Sequence, residues 1–469
     1  MTTDVAVPDT ALDVLETRLH GQLIRPGAAD YDDRRAVFNA LVDRRPAAVV
    51  RCRDAADVVT GITFARERDL VLAVRGGGHS VAGNAVCDGG LLLDLSGMRD
   101  LRVDPVDRVA RAGPGLTLGD LDRGTQQHGL ATPLGVMSGT GIAGLTLGGG
   151  LGWLNGRLGL TCDNLAAAEL VTADGEVLRV GPDEHPDLYW AIRGGGGNFG
   201  VVTEFTYRLH QVGPVVAGSL NFPVQEMHRV LRGYDELAAT APDELTTAVS
   251  VGLGPSGEPA VSVTACWSGA VEDADRALRS LRALGSVQAD MVGVLPYVAL
   301  QSAPDASFPW GRRHFWKSGY LRHITDGVLD TLLEHLPGMP SPFTGIGMQQ
   351  MHGAASRVPP TATAFAHRAD QHDLLILSQW TDPADTERNI DWTRALFQAL
   401  QPHLEDAVYV NNLGVEGPDR VRAAYGANHA RLAHVKQAYD PTNVFRLNHN
   451  IAPSGDPMAG EQHPPASAE

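Results

Sequence analysis

Hydrophobic and polar residues recur with different periodicities in different parts of this chain. Near the N-terminus, "RPAAVVRCRD" and "LVLAVRG" are short apolar runs typical of buried strands, and "AADVVTGITFARERD" between them has the spacing of an amphipathic helix. A helix between two such strands is the βαβ unit, which favours an α/β arrangement for this part of the chain. A further amphipathic helix is predicted before it, in "DTALDVLETRLHG", after a short polar leader.

Strand patterns dominate from about residue 90 to residue 210. They include "GGLLLDLSGM", "AAAELVTADGEVLRV" and "GVVTEFTYRLH", and the Asp-Gly pair in "TADGEV" predicts a hairpin. After "VGPVV" at 212–216 the glycine clusters thin out, and alternating strands such as "LTTAVSVGLG", "PAVSVTACWSG" and "HDLLILSQWTD" are separated by amphipathic helices. This pattern predicts an antiparallel sheet with helices on one face.

Short motifs return near residue 405, so the simplest organisation is one domain that is interrupted by a second and then resumed. The overall class expected is α+β. We expect residues 1–212 and 406–455 to form the first domain and residues 213–405 to form the inserted one. The tail 456–469 is rich in Pro, Ala and Ser and is predicted to be disordered.

Composition excludes several function classes. The net charge of −17 disfavours nucleic acid and anionic membrane surfaces as partners, and no apolar run is long enough to cross a bilayer. The four cysteines show no CxxC pairing, so we expect neither a disulfide framework nor a metal site. Without a secretory signal at the start, a reducing cytoplasm is the expected location. Any bound phosphate must then be held by backbone N–H groups rather than by a basic surface.

The segment "AVRGGGHSVAGNAVCDGG" places His79 in a stretch of glycines and small residues. Gly78-His79-Ser80 resembles the nucleophile elbow of a serine hydrolase, but the following residues lack the helical period that an elbow needs. A plain loop with a solvated histidine is a second interpretation. The third is a nest of backbone N–H groups around a pyrophosphate, with His79 at the edge of the attached ring system.

Two later glycine clusters also indicate close backbone approach to a ligand. In "GVMSGTGIAGLTLGGGLGW", Gly139, Gly141 and Gly144 spell GxGxxG, yet no strand precedes them and a second glycine cluster follows. A Rossmann dinucleotide site is therefore disfavoured, and an irregular wall against a flat ligand is favoured. In "DLYWAIRGGGGNFGVVTEF", four glycines join a predicted helix to a strand, which exceeds what a turn requires.

Near the C-terminus, "YDPTNVFRLNHNI" ends a helix and continues as an extended segment. Asn448 and Asn450 alternate with His449, so we expect both amides to face one side, where they suit hydrogen bonding to a polar heterocycle. A solvated terminal segment is the ordinary alternative.

Together these four segments resemble the berberine bridge enzyme-like oxidases of the vanillyl-alcohol oxidase and p-cresol methylhydroxylase flavoprotein superfamily. The match runs in order from about residue 35 to residue 452. The resemblance implies a two-part FAD-binding domain, with the inserted sheet as the substrate-binding domain over the flavin. It also implies that His79 forms a covalent bond to the 8-methyl carbon of the FAD ring. Many relatives have a second, cysteinyl bond, but the corresponding position here is Met137, so a single bond through His79 is expected.

The resemblance assigns cofactor-binding roles by position. The residues so assigned are Arg75, Gly76, Gly77, Gly78, His79, Ser80, Gly83, Gly135, Gly139, Thr140, Gly141, Gly144, Leu145, Gly148, Gly149, Gly150, Trp153, Asn164, Gly197, Gly200, Val202, Asn448 and Asn450.

Relatives often carry the catalytic base in a "YxNY"-like motif, for which this chain has "VYVNNLG". Tyr409 and Asn411 match the motif and Asn412 departs from it. Tyr409 is the candidate base or substrate-orienting residue, and a phenol acts as a base near neutrality only if the site lowers its pKa of about 10.

The function expected is that of an FAD-dependent oxidase, which removes hydride from a small or medium organic molecule and passes the electrons to molecular oxygen, giving hydrogen peroxide. An alcohol, an amine or a secondary-metabolism intermediate would be such a substrate. Two alternatives share the motifs: a flavin dehydrogenase with another electron acceptor, and a flavin-bearing protein that sequesters a drug-like molecule with little turnover. The oligomeric state is not indicated by the sequence.

Overall fold

The computed structural model of the protein describes residues 7–253 and 259–455. The polar leader and the tail expected to be disordered lie outside the described residues. Within them the chain is a mixed α+β structure with four-, five- and eight-stranded sheets and one two-stranded ribbon.

The N-terminal sheet confirms the expected βαβ unit. The helices are α1 (Asp9–Glu16), α2 (Tyr31–Arg35) and α3 (Ala55–Glu67), and the strands are β1 (Gln22–Ile24), β2 (Ala48–Arg51), β3 (Leu72–Arg75) and β4 (Leu91–Asp94). The sheet order is β1-β2-β4-β3, and β4 is parallel to both of its neighbours. Since β3 ends at Arg75, the "GGGHS" loop begins at the carboxyl edge of a parallel pair, where α/β proteins commonly bind ligands.

A second sheet follows, and it contains the expected hairpin as strands β8 and β9. Its strands and those of the two-stranded ribbon are β5 (Leu101–Asp104), β6 (Val109–Ala112), β7 (Leu130–Ala131), β8 (Leu165–Val171), β9 (Val177–Val180), β10 (Val201–Arg208) and β11 (His210–Gln211). The helices of this part are α4 (Leu118–Gln126), α5 (Ile142–Leu147), α6 (Asn155–Leu158) and α7 (Pro186–Ala191). The GxGxxG segment, expected to be irregular, therefore includes one short helix, α5, which begins after Gly141 and ends where the second glycine cluster starts.

The largest sheet has eight strands and is antiparallel throughout. Its strands are β12 (Val215–Pro223), β13 (Leu245–Leu253), β14 (Pro259–Trp267), β15 (Ala289–Asp290), β16 (Gly293–Leu295), β17 (Arg313–Leu321), β18 (Gly345–Met351) and β19 (Gln371–Trp380). The order is β15-β12-β14-β13-β18-β19-β17, and β16 also pairs with β12.

Helices cover one face of this sheet, as the sequence pattern predicts. The helices in this part are α8 (Met227–Ala238), α9 (Ala274–Arg282), α10 (Tyr297–Ser302), α11 (Asp326–His335), α12 (Ala354–Arg357) and α13 (Thr386–Leu400). Leu231 of α8, Leu329 of α11 and Leu396 of α13 share one buried core with the sheet residues Val249 and Ile376. The opposite face of the sheet is left to face the first two sheets.

The C-terminal part returns to the second sheet. After Val408 the chain forms α14 (Pro418–Tyr425) and α15 (His429–Tyr439). Val408, Leu432 and Ile451 are buried in the same core as Leu170 and Phe205 of the second sheet. No helix among the described residues combines the length and the apolar character needed to cross a membrane.

Candidate active site

A cavity of about 490 Å³ lies between the glycine-rich segments and the uncovered face of the large sheet. This volume falls within the range of about 300–1,000 Å³ that small-molecule sites occupy. All four sequence motifs contribute to its lining, together with strands β13, β14, β17, β18 and β19. Among the described residues that line it, Asp373 is the one carboxylic acid, and none is Lys or Arg.

The first two glycine segments meet at the cavity wall. A Cβ on Gly77 would lie 2.5 Å from the Cα and backbone N of Gly141, and a Cβ on Gly141 would lie 2.5 Å from the backbone N of Gly77. Two backbones this close leave no room for a side chain between them. Gly78 has φ +66°, which turns the chain so that His79 follows at the cavity wall. The wall therefore presents main chain rather than side chains to whatever occupies the cavity.

His79 is an uncharged imidazole at this wall. Burial lowers its pKa to about 4, so the ring is neutral at physiological pH. The ring stacks on Phe38, with centroids 3.8 Å apart and planes 16° from parallel. No side chain among the described residues is hydrogen-bonded to the ring, while a hydrogen bond to the backbone of His79 itself acts to raise the pKa and leaves the other ring nitrogen free. A neutral imidazole with a free nitrogen is a nucleophile.

The strand register places three polar side chains and one alanine across the cavity face of the sheet, and these four form a polar row. Thr264 pairs with Ala248, Ala248 with Gln349, and Gln349 with Asp373, so the four lie side by side on one face. Two residues further along β19, Leu375 continues this face as an apolar surface. The cavity thus has a polar end and an apolar end.

Asp373 is the strongest acid–base candidate in the cavity. Burial raises the pKa of its carboxyl to about 7, while hydrogen bonds from Ser318 Oγ and Asn412 Nδ2 act in the opposite direction. Asn412 Nδ2 lies 2.6 Å from Asp373 Oδ2, and Ser318 Oγ lies 3.3 Å from Oδ1. A carboxyl with this pKa is poised to accept and return a proton near neutral pH.

Tyr409 also lines the cavity, but its electrostatics differ from the expectation. Its hydroxyl oxygen accepts hydrogen bonds from Gly150 N at 2.8 Å, Leu151 N at 3.3 Å and Asn411 Nδ2 at 2.8 Å. These donors favour the phenolate, yet burial outweighs them and raises the pKa of Tyr409 above its ordinary value. The condition for Tyr409 to act as a base near neutrality is therefore not met.

Most residues assigned by the resemblance lie at the cavity. Those that line it are Gly76, Gly77, Gly78, His79, Ser80, Gly135, Thr140, Gly141, Gly144, Leu145, Trp153, Gly197, Gly200, Val202, Asn448, Tyr409 and Asn411.

Three glycines expected at the cofactor instead pack around Tyr409, Asn411 and their neighbours. A Cβ on Gly148 would lie 2.0 Å from Asn411 Oδ1, one on Gly149 would lie 2.8 Å from Phe365, and one on Gly150 would lie 2.1 Å from Thr161 Oγ1. Their lack of side chains lets the backbone wrap around Tyr409, whose oxygen the Gly150 N–H contacts. These glycines position catalytic candidates rather than lining the cavity.

Four other assigned residues, apart from Asn450, also lie away from the cavity lining. Arg75 turns to a buried ion pair with Asp94 (2.8 Å) and to the Ala36 carbonyl, and Gly83 packs against Val42. Gly139 is exposed, and Asn164 donates to the Leu158 and Leu160 carbonyls.

The C-terminal segment differs in one respect from the expected alternation. Asn448 and His449 line the cavity, whereas Asn450 does not, and its Oδ1 is buried without a hydrogen-bond partner among the described residues. The segment has no regular strand geometry, so neighbouring side chains rather than alternate ones face the cavity.

The sequence pattern did not identify Asp373 or His449 as cavity residues. A signal for Asp373 was present, because "HDLLILSQW" places Asp373, Leu375 and Leu377 on one strand face. Gln349 Nε2 is buried without a hydrogen-bond partner among the described residues, as are the indole nitrogens of Trp153 and Trp316, which also line the cavity. These are donors available to a bound molecule.

The four cysteines lie away from the cavity. All four cysteines are buried, and none is among its lining residues. Met137 lines the cavity. It stands at the position where the resemblance implies a cysteine in many relatives.

One group of metal-ligating residue types exists elsewhere. Ligand atoms of His20, Asp54 and Asp57 lie within 4.8 Å of one another. His20 Nδ1 is 2.7 Å from Asp54, and the Asp57 carboxylate accepts from the backbone N–H groups of His20, Gly21 and Arg53. These contacts join the N-terminal segment to α3.

Comparison with known proteins agrees with this geometry. Residues 46–181 match the family model described as FAD binding domain, and residues 408–452 match the one described as berberine and berberine like. The (R)-6-hydroxynicotine oxidase of Paenarthrobacter nicotinovorans is 32% identical over 451 residues, covering 93% of this chain and 98% of the relative. The FAD-linked oxidoreductase YgaK of Bacillus subtilis is 31% identical over 448 residues, with coverages of 93% and 98%.

Solved structures give the same result. The crystal structure of 6-hydroxy-D-nicotine oxidase from Arthrobacter nicotinovorans superimposes with a TM-score of 0.86 at 30% identity, covering 92% of this chain and 98% of that one. A berberine bridge enzyme-like protein of Physcomitrella patens superimposes with a TM-score of 0.85 at 22% identity, covering 94% of this chain and 99% of that one, which is a likeness of fold.

Proposed function

This chain belongs to the berberine bridge enzyme-like FAD-linked oxidoreductases, and from that premise we propose that it is an oxidase whose FAD is attached covalently through His79 alone. The observation that carries the proposal is His79 itself, a neutral imidazole at the end of a glycine loop, with a free ring nitrogen at the cavity wall. Bound FAD supplies hydride acceptance from the substrate and electron transfer to oxygen, with hydrogen peroxide as product.

The residues of the cavity fit such a cofactor. The Gly77–Gly141 contact provides a wall of main chain without Cβ atoms, which a flat ring or a diphosphate approaches closely. No Lys or Arg is present among the described lining residues, so a diphosphate is held by backbone N–H groups, as expected for a protein with net charge −17. With Met137 in place of a thiol, the proposal includes no cysteinyl bond.

The role of Asp373 follows from its place in the polar row. When an alcohol or amine substrate is oxidised, its O–H or N–H group loses a proton as the adjoining C–H loses hydride. Asp373 accepts that proton, because its pKa of about 7 leaves a substantial carboxylate fraction at neutral pH. Tyr409 keeps its own proton and, with Asn411, holds the backbone at Gly150 and Leu151 in position.

The cavity also limits the substrate class. A carboxylate or phosphate substrate would lie beside Asp373 with no Lys or Arg among the described lining residues to pair with it, which is strongly unfavourable in a buried site. A neutral alcohol or a cationic amine pairs with Asp373 and Gln349. The apolar part of such a molecule packs on Leu375, Leu377 and Trp316. Among the relatives, one is named as an oxidase of 6-hydroxynicotine.

The test is to denature the purified protein in acid, digest it, and measure peptide masses. We expect yellow flavin to remain with protein and to be found on the peptide containing His79, and a His79→Ala variant to release all its flavin. Flavin on another peptide, or complete release from the wild type, would contradict the covalent proposal. Hydrogen peroxide formed per substrate oxidised then separates an oxidase, at one to one, from a dehydrogenase that uses another acceptor.

A further inference from the structure

Phe38 lies between two imidazole rings. Its centroid is 3.8 Å from that of His79 and 4.4 Å from that of His314, with interplanar angles of 16° and 23°. Phe38 is fully buried, and His314 is 1% exposed. Trp310 packs on Phe38 in a T-shaped arrangement, with ring centroids 6.2 Å apart and planes at 88°. The residue proposed to bear FAD is thus one end of a three-ring stack.

The backbone around the stack is fixed by hydrogen bonds. Phe38 N donates to the Gly78 carbonyl at 3.0 Å. Asn39 Nδ2 donates to the carbonyls of Val81 at 2.8 Å and His314 at 3.0 Å, and Asn39 Oδ1 accepts from His314 N at 2.9 Å. Three segments distant in sequence, 36–42, 76–83 and β17, are therefore joined beside His79.

Phe38 also belongs to a small buried core with Val81 and Trp316, and His314 lies beside it. Phe38 is absent from the cavity lining, so it does not meet substrate. Both ring nitrogens of His314 are buried without hydrogen-bond partners among the described residues, an arrangement that costs free energy wherever it occurs. Burial, with His79 nearby, lowers the pKa of His314 to about 3, so His314 is also neutral and places no positive charge beside His79. Beyond apolar packing, the contact that the two rings offer to the site is the stack beside His79.

We propose that Phe38, held against His314, is a positioning residue that orients the His79 imidazole for bond formation with FAD. This inference rests on the proposed function. Forming the bond joins a His79 ring nitrogen to the 8-methyl carbon, with loss of one C–H and one N–H proton and with two electrons left on the ring system. Molecular oxygen, already the acceptor of the proposed oxidase, removes the two electrons and with the two protons gives hydrogen peroxide.

The physical reason is that ring stacking restrains both rotatable bonds of the His79 side chain. A histidine in an open glycine loop would sample several rotamers. Stacking on a ring that is itself fixed on its far side leaves one orientation, so the free nitrogen points to one place. Misplacement of a reacting atom by about 1 Å can cost ~10²-fold in rate, which gives the scale of the effect expected.

The test measures covalent attachment rather than turnover. Phe38→Leu keeps an apolar side chain of similar volume and removes the flat ring, and Phe38→Tyr keeps the ring. Phe222→Leu is the matched control, because Phe222 is also fully buried, but in the core between the large sheet and its helices. Each full-length variant is incubated with added FAD, and the covalent fraction is followed by flavin fluorescence in denaturing gels over time.

We expect Phe38→Leu to attach FAD at least about tenfold more slowly than the wild type, with Phe38→Tyr and Phe222→Leu close to the wild-type rate. A wild-type rate in Phe38→Leu would overturn the inference. So would a rate in Phe38→Tyr as slow as in Phe38→Leu, or an equal slowing in Phe222→Leu. A wild type without any covalent flavin would instead overturn the proposed function from which this inference starts.

Discussion

At the scale of single residues, Asp373 combines two properties that conflict in most buried carboxyls. Burial raises its pKa to about 7, and it still accepts two hydrogen bonds that stabilise its charged form. The balance places its titration where proton transfer to and from a substrate is most effective. Tyr409, by contrast, remains protonated because burial outweighs its three donors.

This assignment predicts a pH dependence. Because the base form is the carboxylate, kcat/KM of the wild type should rise with pH through about 7 and then level off. Asp373→Asn should lower kcat/KM by about 10²-fold or more and remove this rising limb. Steady-state rates from pH 5.5 to 9 with one oxidisable substrate measure both.

Ser318→Ala serves as the control for that experiment. Loss of the Ser318 Oγ donor removes an interaction that lowers the pKa of Asp373, so the limb should move to higher pH while the plateau is kept. An Asp373→Asn variant that retained the wild-type limb would exclude Asp373 as the titrating base. The limb would then have to be assigned to another group.

The chemical role of a single residue can be predicted from the sequence only where a motif sets that residue apart. His79 stands alone among glycines, so its special position is visible in the sequence. Asp373 lies in an ordinary alternating strand, and only the pairing with Gln349 across the sheet shows that it belongs to a polar row. Phe38 has no sequence signal, since its partners His79 and His314 are 41 and 276 positions away along the chain.

At the scale of elements, the glycine clusters serve different purposes. Gly77 and Gly141 let two segments touch at the cavity wall, whereas Gly148, Gly149 and Gly150 let a turn close around Tyr409, Asn411 and their neighbours. Both uses produce the same sequence pattern, because each requires only the absence of a side chain. The pattern therefore predicts close approach correctly but does not say which neighbour is approached.

The Gly77–Gly141 contact gives a direct prediction. In Gly141→Ala the new methyl group would meet the Gly77 backbone at 2.5 Å, so the "GGGHS" loop must shift. We expect a loss of about 1–3 kcal/mol in the free energy of unfolding and a lower ratio of flavin to protein. Thermal unfolding and the absorbance ratio of flavin to protein measure the two effects.

Gly139→Ala is the control, since nothing lies within 4 Å of a Cβ at that position. It should retain wild-type stability and flavin content although Gly139 is the first glycine of the same GxGxxG. Equal effects of the two substitutions would mean that the segment responds to any added side chain and not to the contact with Gly77.

At the scale of the whole molecule, the architecture was predictable because hydrophobic and polar residues recur with a distinct periodicity in each part of the chain. The βαβ unit, the Asp-Gly hairpin and the long alternating strands each appear as expected. Helices α8, α9, α11 and α13 cover one face of the large sheet, whereas α10 packs against Ala217 and Cys266 on the other face. How the large sheet is held against the preceding part of the chain was not predictable, because that contact joins residues distant in sequence, apolar ones such as Leu154 and Cys266 as well as buried polar ones. Asp122 of α4 and Gln301 of α10 form one such contact, with 3.1 Å between Oδ2 and Nε2.

This contact predicts how stability depends on pH. Burial raises the pKa of Asp122 to about 7, against about 3.9 in an unfolded chain. Between these values the folded protein holds a proton that the unfolded chain lacks, so this group's contribution to the free energy of unfolding falls as pH rises, by up to about 1.4 kcal/mol per pH unit.

Asp122→Asn preserves the shape of the protonated acid without titrating. It should match the wild type near pH 4 and exceed its urea midpoint near pH 8, while Asp183→Asn, at an exposed carboxyl, leaves the pH dependence unchanged. If the urea midpoints of the wild type and Asp122→Asn changed with pH in the same way, the Asp122 carboxyl would be solvated, and the contact between α4 and α10 would contain no buried acid.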